Sequence, residues 1–253
     1  MQNPISTIGT PPPSMPVYEA LLSFIDTVIE NFRPYSQKNN TIVEAEDDIT
    51  TDLSFYLDDL QETKRLADIL NQKEIDNLFY FKFINQDNRA DIGVKLGRGY
   101  RRDNSKSFCW IEAKRLPTPN NSNKTLRDER EYVYVDNSTF KGGGGIQRFK
   151  LNRHASNLPL SIIIGYVQEQ NFEFWISCIN NWIKELSKIS SLWSEKEILT
   201  PYSDSLWNRY ISHHRRIDEK TGIEIEMQLF KIVFWIYSIR YIVTLQIYIY
   251  ILN

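Results

Sequence analysis

The sequence contains few residues of the kinds that support thiol, zinc or histidine chemistry. Its 253 residues include two cysteines and three histidines. Cys109 and Cys178 both lie in apolar runs, so we interpret them as buried side chains in a reducing compartment rather than as a disulfide. No Cys/His cluster has the spacing of zinc ligands, and no G-x-S-x-G elbow is present. These absences argue against a disulfide scaffold, a zinc site and a serine or cysteine hydrolase.

The chain also has little net charge and no recognisable targeting segment. The formal net charge is −2, so any surface that binds a polyanion must be local. The proline-rich residues 1–16 lack the basic and apolar regions of a signal peptide, and we expect them to form a disordered lead. Together with the cysteine usage, this predicts a cytoplasmic protein.

Apolar periodicity predicts an alternation of helices and strands. Helical spacing is present at 17–32, where Pro34 ends the helix, and again at 46–62. Strands are predicted at 78–84, 90–96, 107–115, 160–167 and 172–179. Further helices are predicted from about 146 to 157 and at 181–189. The segment 160–167 is apolar at nearly every position, which indicates a central strand covered on both faces.

This order predicts an α/β fold with a mixed β-sheet flanked by helices. The predicted organisation runs from the disordered lead (1–16) through an N-terminal helix and linker (17–40) and a core domain (41–190) to a C-terminal extension (191–231) and an apolar tail (232–253). Residues 232–252 are long enough to span a bilayer, but Arg240 near the middle opposes insertion and the Ile/Tyr-rich composition equally suits β-strands. A displaced reading frame is a third explanation of the tail.

Charged residues occur inside one of the strand-like runs. In the segment from Phe108 to Leu116, alternation places Phe108, Trp110, Glu112 and Lys114 on one face of a strand. Asp91 lies at the start of the preceding strand. A carboxylate and an ammonium on an apolar strand are costly to bury unless they are paired or bound to a metal. Asp91 and Glu112 offer the hard oxygen ligands that suit Mg²⁺, although a surface Glu–Lys pair explains Glu112 and Lys114 equally well.

Glu46 stands apart from the other acids in its region. Residues 41–62 carry eight acids and no basic residue, as a solvated helix face would. At 100° per residue, however, Glu46 projects into the sector of Ile49, Leu53 and Leu57. A carboxylate on the buried stripe should have a partner, and a divalent ion is one candidate. The alternative is that Glu46 belongs to the first turn, where acids suit the helix dipole.

With these residues in this order of elements, the chain resembles the PD-(D/E)xK nuclease superfamily, which has a restriction-endonuclease-like fold. The resemblance covers roughly residues 42–180 and implies an αβββαβ core. Asp91 matches the acid of the second strand, and Glu112 and Lys114 match the (D/E)-x-K motif of the third. Glu46 matches a glutamate of the first helix, and Gln147 a glutamine that a subset carries after the motif. Ala90 replaces the proline of the motif, and Leu151 replaces the tyrosine of that subset.

The resemblance implies a nuclease that hydrolyses DNA phosphodiester bonds with Mg²⁺, or with Mn²⁺ in its place, in restriction, defence or mobile-element processing. Asp91, Glu112 and Glu46 would be the metal ligands, Lys114 would position the attacking water, and Gln147 would support the site. A homodimer is an open alternative, because cutting both strands often needs two active sites. Basic residues expected near the cleft would contact phosphates: Arg98, Arg101, Arg102, Arg148, Lys150 and Arg153.

Two other functions are compatible with the sequence. A non-catalytic nucleic-acid-binding module could have the same fold, although binding alone gives no reason for Lys114 to accompany two acids. A membrane-tethered protein would use the apolar tail as its functional element. The run Gly142–Gly145 before a helix could seat a phosphate or could be a plain connector.

Overall fold

The computed structural model describes residues 15–34, 46–71, 79–85, 91–98, 107–116, 132–133, 145–151, 153, 158–167, 170–202, 209–217 and 224–238. Four α-helices are present within these ranges: α1 Met15–Val28, α2 Glu46–Leu70, α3 Gly145–Lys150 and α4 Phe172–Ile189. Short 3₁₀ turns lie at Ile29–Asn31 and Glu195–Glu197. The strands are β1 Phe79–Asn85, β2 Ile92–Arg98, β3 Cys109–Leu116, β4 Leu160–Val167, β5 Thr200–Pro201, β6 Arg209–Ile217 and β7 Glu224–Ser238.

The described strands form one mixed sheet in the order β1-β2-β3-β4-β7-β6-β5. The pairs β1/β2, β2/β3, β7/β6 and β6/β5 are antiparallel, whereas β3/β4 and β4/β7 are parallel. The protein is therefore α/β with a mixed sheet flanked by helices. Because β7 lies beside β4, residues beyond 190 contribute strands to the same sheet as the residues before them.

Two apolar cores lie on opposite faces of this sheet. Ile111 and Ala113 of β3 pack in one core with residues of α1 and α2, such as Leu21 and Leu53. Leu116 of β3 packs in the other with residues of α3 and α4. On β4 the alternation is the same, with Ile162, Ile164 and Tyr166 on the first face and Ile163 and Val167 on the second. A strand between two helical layers must be apolar at successive positions. The prediction of a central, doubly covered strand is confirmed, since every residue of β4 is buried.

The predicted helix α2 forms, but it is longer than expected and has a second role at the sheet edge. It continues to Leu70 rather than ending near residue 62. Along its length, side chains accept hydrogen bonds from the backbone of β1: Gln61 Oε1 from Phe81 N at 3.1 Å, and Asp58 Oδ1 from Phe83 N at 3.0 Å. Strand β1 is the last strand on its side of the described sheet. The helix therefore satisfies the outer edge of the sheet as well as covering its face.

Three predictions about local structure were wrong. Residues 172–179 are not a strand but the first half of α4, whose N-cap Asn171 accepts from Phe174 N at 2.9 Å. The helix predicted to reach residue 157 ends at Lys150. Phe108 does not share the face of Glu112; it packs in the core of α1, with its ring 5.4 Å from that of Tyr18. It precedes β3, so the strand alternation does not extend to it.

The C-terminal strands are joined to α3 by a buried polar cluster centred on Glu197. Lys150 Nζ lies 2.5 Å from Glu197 Oε1 and 5.0 Å from the ring centroid of Trp193. His214 Nδ1 is 3.8 Å from Glu197 Oε2, and its Nε2 is 2.6 Å from Ser212 Oγ. Lys150 is fully buried. The prediction that Lys150 contacts nucleic acid is therefore not retained, because its ammonium group is enclosed by the fold.

The beginning of the apolar tail belongs to the sheet. Residues 232–238 form the second half of β7 and pair with β4, as the strand interpretation of the tail expects. Residues 239–253 lie outside the described part, and so does the predicted lead at 1–14. Among the helices that the structure describes, none has both the length and the apolar character needed to cross a membrane.

Candidate metal and catalytic site

The pairing of β2 with β3 brings Asp91 opposite Glu112. The antiparallel register aligns Ile92 with Ile111 and Gly93 with Trp110. One further step along the same register leads from Ile92 to Asp91 and from Ile111 to Glu112. Residues that face each other across an antiparallel pair project to the same side of the sheet. The register therefore places the two acids, which are distant in the sequence, at facing positions where β2 begins.

Two carboxylates continue the hydrogen bonding of β3 at this point. Asp91 Oδ2 accepts from Ala113 N at 2.7 Å, and Glu46 Oε2 accepts from Arg115 N at 3.0 Å. Amide groups two residues apart in a strand point to the same edge. Beyond the start of β2 this edge of β3 has no neighbouring strand among the described residues, and the side chains of Asp91 and Glu46 take the place of strand carbonyls. The backbone amides of Ala113 and Arg115 are thereby hydrogen-bonded at this edge.

Lys114 lies between two glutamates. Its Nζ is 2.8 Å from Glu46 Oε1 and 3.4 Å from Glu112 Oε1. Burial lowers the pKa of Lys114, but the carboxylates of Glu112, Glu46 and Asp91 outweigh burial and the net pKa is raised. The ammonium group therefore remains charged at neutral pH. Glu46 begins α2, so the helix that covers the other face of the sheet supplies this contact around the edge of β3.

Glu112 is the most buried acid of the site, and one of its carboxylate oxygens faces two cations. Its side chain is 1% exposed, and Oε1 accepts from Arg148 NH1 at 2.8 Å in addition to facing Lys114. Arg148 belongs to α3, which packs on the same face of the sheet as Leu116. A buried carboxylate requires such compensation, because an isolated charge in this environment is strongly disfavoured.

Asp91 is the acid whose ionisation the surroundings oppose. Burial, together with the nearby carboxylates of Glu112 and Glu46, raises its pKa from 3.8 to about 6, although Lys114 and the amide of Ala113 act in the opposite direction. A carboxylate with a raised pKa beside other acids is a common feature of functional sites.

The donor chemistry of the site suits a hard divalent cation. Asp91, Glu112 and Glu46 offer carboxylate oxygens only, which are the ligands that Mg²⁺ and Mn²⁺ prefer. Within the described ranges, no three or more His, Cys, Asp and Glu side chains form a ready-made metal cluster. In the structure Lys114 and Arg148 balance part of the negative charge of these acids. The oxygen donors thus fit an ion of this class, and Asp91 and Glu112 are the residues that would hold it.

Further side chains that sequence reasoning missed support the first turn of α2. Tyr166 of β4 donates from its hydroxyl group to Thr50 Oγ1 at 3.4 Å, and Thr50 Oγ1 donates to the backbone oxygen of Glu46 at 2.7 Å. Burial, with the charges of Asp91, Glu46 and Asp52 contributing, raises the pKa of Tyr166, so its hydroxyl stays protonated. A tyrosine in the largely aliphatic run of β4 was the available signal.

Of the remaining predicted site residues, the structure describes some and leaves others outside its described part. Gln147 is buried in α3, and its backbone N donates to Val133 O at 3.1 Å. Arg153 is partly buried and its amide donates to Arg148 O at 3.0 Å. Arg98 ends β2, but its side chain is outside the described part, as are Arg101, Arg102 and Gly142–Gly144. Phosphate contacts by these arginines stay predictions.

Gly145 has a structural reason to be glycine. A Cβ atom at this position would approach Tyr132 O to 2.8 Å, closer than a side chain tolerates. The backbone at 132–133 packs against the start of α3, where Tyr132 and Val133 are buried. This contact fixes the position from which Arg148 reaches Glu112.

Comparisons of the chain with protein-family models, curated proteins and solved structures gave no match.

Proposed function

We propose that this protein is a metal-dependent nuclease that uses Mg²⁺, or Mn²⁺, to hydrolyse phosphodiester bonds of DNA, with an αβββαβ core of the restriction-endonuclease-like kind. The observation that carries the proposal is the convergence of Glu46, Asp91, Glu112 and Lys114 at one edge of β3. The order α2-β1-β2-β3-α3-β4 supports the assignment of the core, because it matches the order that the resemblance implies.

Asp91 and Glu112 would hold the ion from facing positions on the sheet. When bound, a divalent ion supplies Lewis-acid polarisation and a lower pKa of bound water. Asp91 must lose its proton before it can bind a metal ion. Because its pKa is raised to about 6, ion binding should weaken as the pH falls below about 6. Both oxygens of Glu46 already accept hydrogen bonds, and we therefore assign Glu46 to positioning Lys114 rather than to holding the ion directly.

Lys114 would act as a fixed cation beside the reacting phosphate. Because its pKa is raised by three carboxylates, it is a poor proton acceptor at neutral pH. It is suited to donate hydrogen bonds to the attacking water and to stabilise the negative charge that develops on the phosphate oxygens. Gln147 remains a predicted support of the site from α3.

The experiment is a cleavage assay with the full chain, supercoiled plasmid and linear duplex DNA, in Mg²⁺, in Mn²⁺ and with the ions chelated. Asp91→Ala and Lys114→Ala should each lower cleavage by roughly 10²–10³-fold, as the loss of a preorganised electrostatic group does. Lys82→Ala is the matched control: this lysine of β1 also faces a carboxylate, with Nζ 3.9 Å from Asp58 Oδ2, but it is half exposed and lies outside the site. It should cleave like the wild type.

Unchanged cleavage in both Asp91→Ala and Lys114→Ala would refute the assignment of the site. DNA binding by the wild type without cleavage of any substrate would favour the non-catalytic nucleic-acid-binding module. RNA substrates in the same assay test whether the preference for DNA, which rests on the resemblance, holds.

A further inference from the structure

One oxygen of the buried acid Glu112 faces two cations at once. Arg148 NH1 donates to Glu112 Oε1 at 2.8 Å, and Lys114 Nζ lies 3.4 Å from the same atom. The Glu112 side chain is 1% exposed, whereas that of Arg148 is 23% exposed. The carboxylate is thus enclosed by the fold, and the arginine side chain that pairs with it is partly exposed.

The two cations are not held in the same way. Lys114 is 13% exposed and is also fixed by Glu46, whose Oε1 accepts from its Nζ at 2.8 Å. Arg148 comes from the six-residue helix α3 and approaches from the face of the sheet opposite to α2. A divalent ion that ligates Glu112 brings two positive charges next to a guanidinium group already in contact with that carboxylate. Like charges at this separation repel strongly in a partly buried site, so one of the two cations has to withdraw, and Arg148 is the more accessible.

We propose that Arg148 is a displaceable counter-ion of the site. Without a divalent ion it neutralises Glu112; when the ion binds, the guanidinium group leaves the carboxylate and turns to the phosphate of the substrate. A planar guanidinium suits both partners, because carboxylate and phosphate oxygens accept from it with the same geometry. This inference rests on the metal site of the proposed function and adds a residue to it.

The proposal has a consequence for metal binding that does not depend on cleavage. Removing the guanidinium group should remove the competitor for Glu112, so a neutral residue at position 148 should strengthen the binding of the ion in the absence of DNA. A residue with a merely structural role would weaken ion binding when substituted, because Glu112 would lose its support.

The test is calorimetric titration of Mn²⁺ into the full chain without DNA. Arg148→Gln should bind Mn²⁺ more tightly than the wild type, on the order of tenfold, the effect expected from one nearby like charge. Arg65→Gln is the matched control: Arg65 also pairs with a glutamate and is 24% exposed, but it lies on α2 away from the site. Its affinity should equal that of the wild type. In a second titration with Mn²⁺ present, Arg148→Gln should bind inorganic phosphate more weakly than the wild type.

Arg148→Lys keeps the positive charge and is the variant to test if Arg148→Gln does not fold. It should bind Mn²⁺ with nearly wild-type affinity and should bind phosphate more weakly than the wild type. Equal or weaker Mn²⁺ binding by Arg148→Gln, with the wild type binding normally, would overturn the role of Arg148 and leave the proposed function intact. Absence of Mn²⁺ binding by both folded proteins would overturn the proposed metal site and the role of Arg148 together.

Discussion

At the scale of single residues, Asp91 bears a charge that the folded protein disfavours. The pKa of its carboxyl group is about 6 in the fold, against 3.8 for the ordinary group. Between these values the folded protein keeps a proton that the unfolded chain has released. Rising pH therefore favours the unfolded state through this interval, and the full destabilisation is present above pH 6. Below about pH 4 it disappears.

Asp91→Asn should therefore be more stable than the wild type at pH 8, by a few degrees in Tm. The amide oxygen of Asn can still accept from Ala113 N. The gain should shrink as the pH falls from 6 towards 4, and thermal unfolding at pH 4.5 and pH 8 measures it. Asp48→Asn is the control, since Asp48 is an exposed acid in the first turn of α2; no gain is expected there. An equal gain for Asp91→Asn at both pH values would contradict the assigned cause.

Single residues also mark what the sequence could predict about the site. Strand alternation predicted that Glu112 and Lys114 share a face, and helical rotation separated Glu46 from the surrounding acids. Neither rule reaches across the sheet. The contact between Arg148 and Glu112 joins residues 36 positions apart, and it depends on how α3 docks against the sheet. Periodicity therefore indicated which acids turn inward, but not which cation meets them.

At the scale of elements, α4 shows how composition misleads. Its first half is rich in aromatic and β-branched residues, which favour strands, and residues 172–179 were predicted as one. The buried positions Trp175, Ile179, Ile183 and Leu186 follow helical spacing over the whole segment. Asn171 is a favourable N-cap. The helical periodicity over 18 residues and the N-cap together outweigh the local preference for a strand. The periodicity is not visible in the eight residues 172–179 alone.

Helix α2 offers a prediction about the edge of the sheet. Replacing both Asp58 and Gln61 by alanine should leave the amides of Phe81 and Phe83 without their side-chain acceptors. We expect a loss of about 1–2 kcal/mol in the free energy of unfolding and a greater tendency to self-associate through β1. Urea denaturation and sedimentation velocity measure the two effects. Asp59→Ala, an exposed change on the same helix, should do neither. A double variant with the same stability and the same sedimentation as this control would show that the acceptors are dispensable.

At the scale of the whole molecule, the cluster around Glu197 connects the site-bearing half to the C-terminal strands. Burial raises the pKa of Glu197, but its interactions with His214 and Lys150 outweigh burial, and the net pKa is about 2. His214 is fully buried, and burial lowers its pKa to about 4, so its ring is neutral at pH 7. The ammonium group of Lys150 therefore supplies a full positive charge next to the buried carboxylate of Glu197. Lys150 ends α3, the helix that carries Arg148.

Lys150→Met should lower the free energy of unfolding by about 3–5 kcal/mol, because it leaves the carboxylate of Glu197 buried without its ammonium partner. Adding Glu197→Gln removes the uncompensated charge and should recover part of the loss. Urea denaturation at pH 7.5 gives the comparison. Lys82→Met, which breaks a half-exposed pair on β1, should cost less than 1 kcal/mol. A loss of that same small size for Lys150→Met would rule out the structural role of the cluster.

The position of β7 decides the order in which the molecule can be assembled. Strand β4 is buried along its whole length, yet one of its two neighbours, β7, arrives only after the intervening residues 168–223. Closing so long a stretch costs chain entropy before any pairing is gained, so this step belongs late on the folding pathway. On the ribosome, the nascent chain would hold an apolar strand with one side open until β7 emerges, and that interval is when it most needs protection from aggregation.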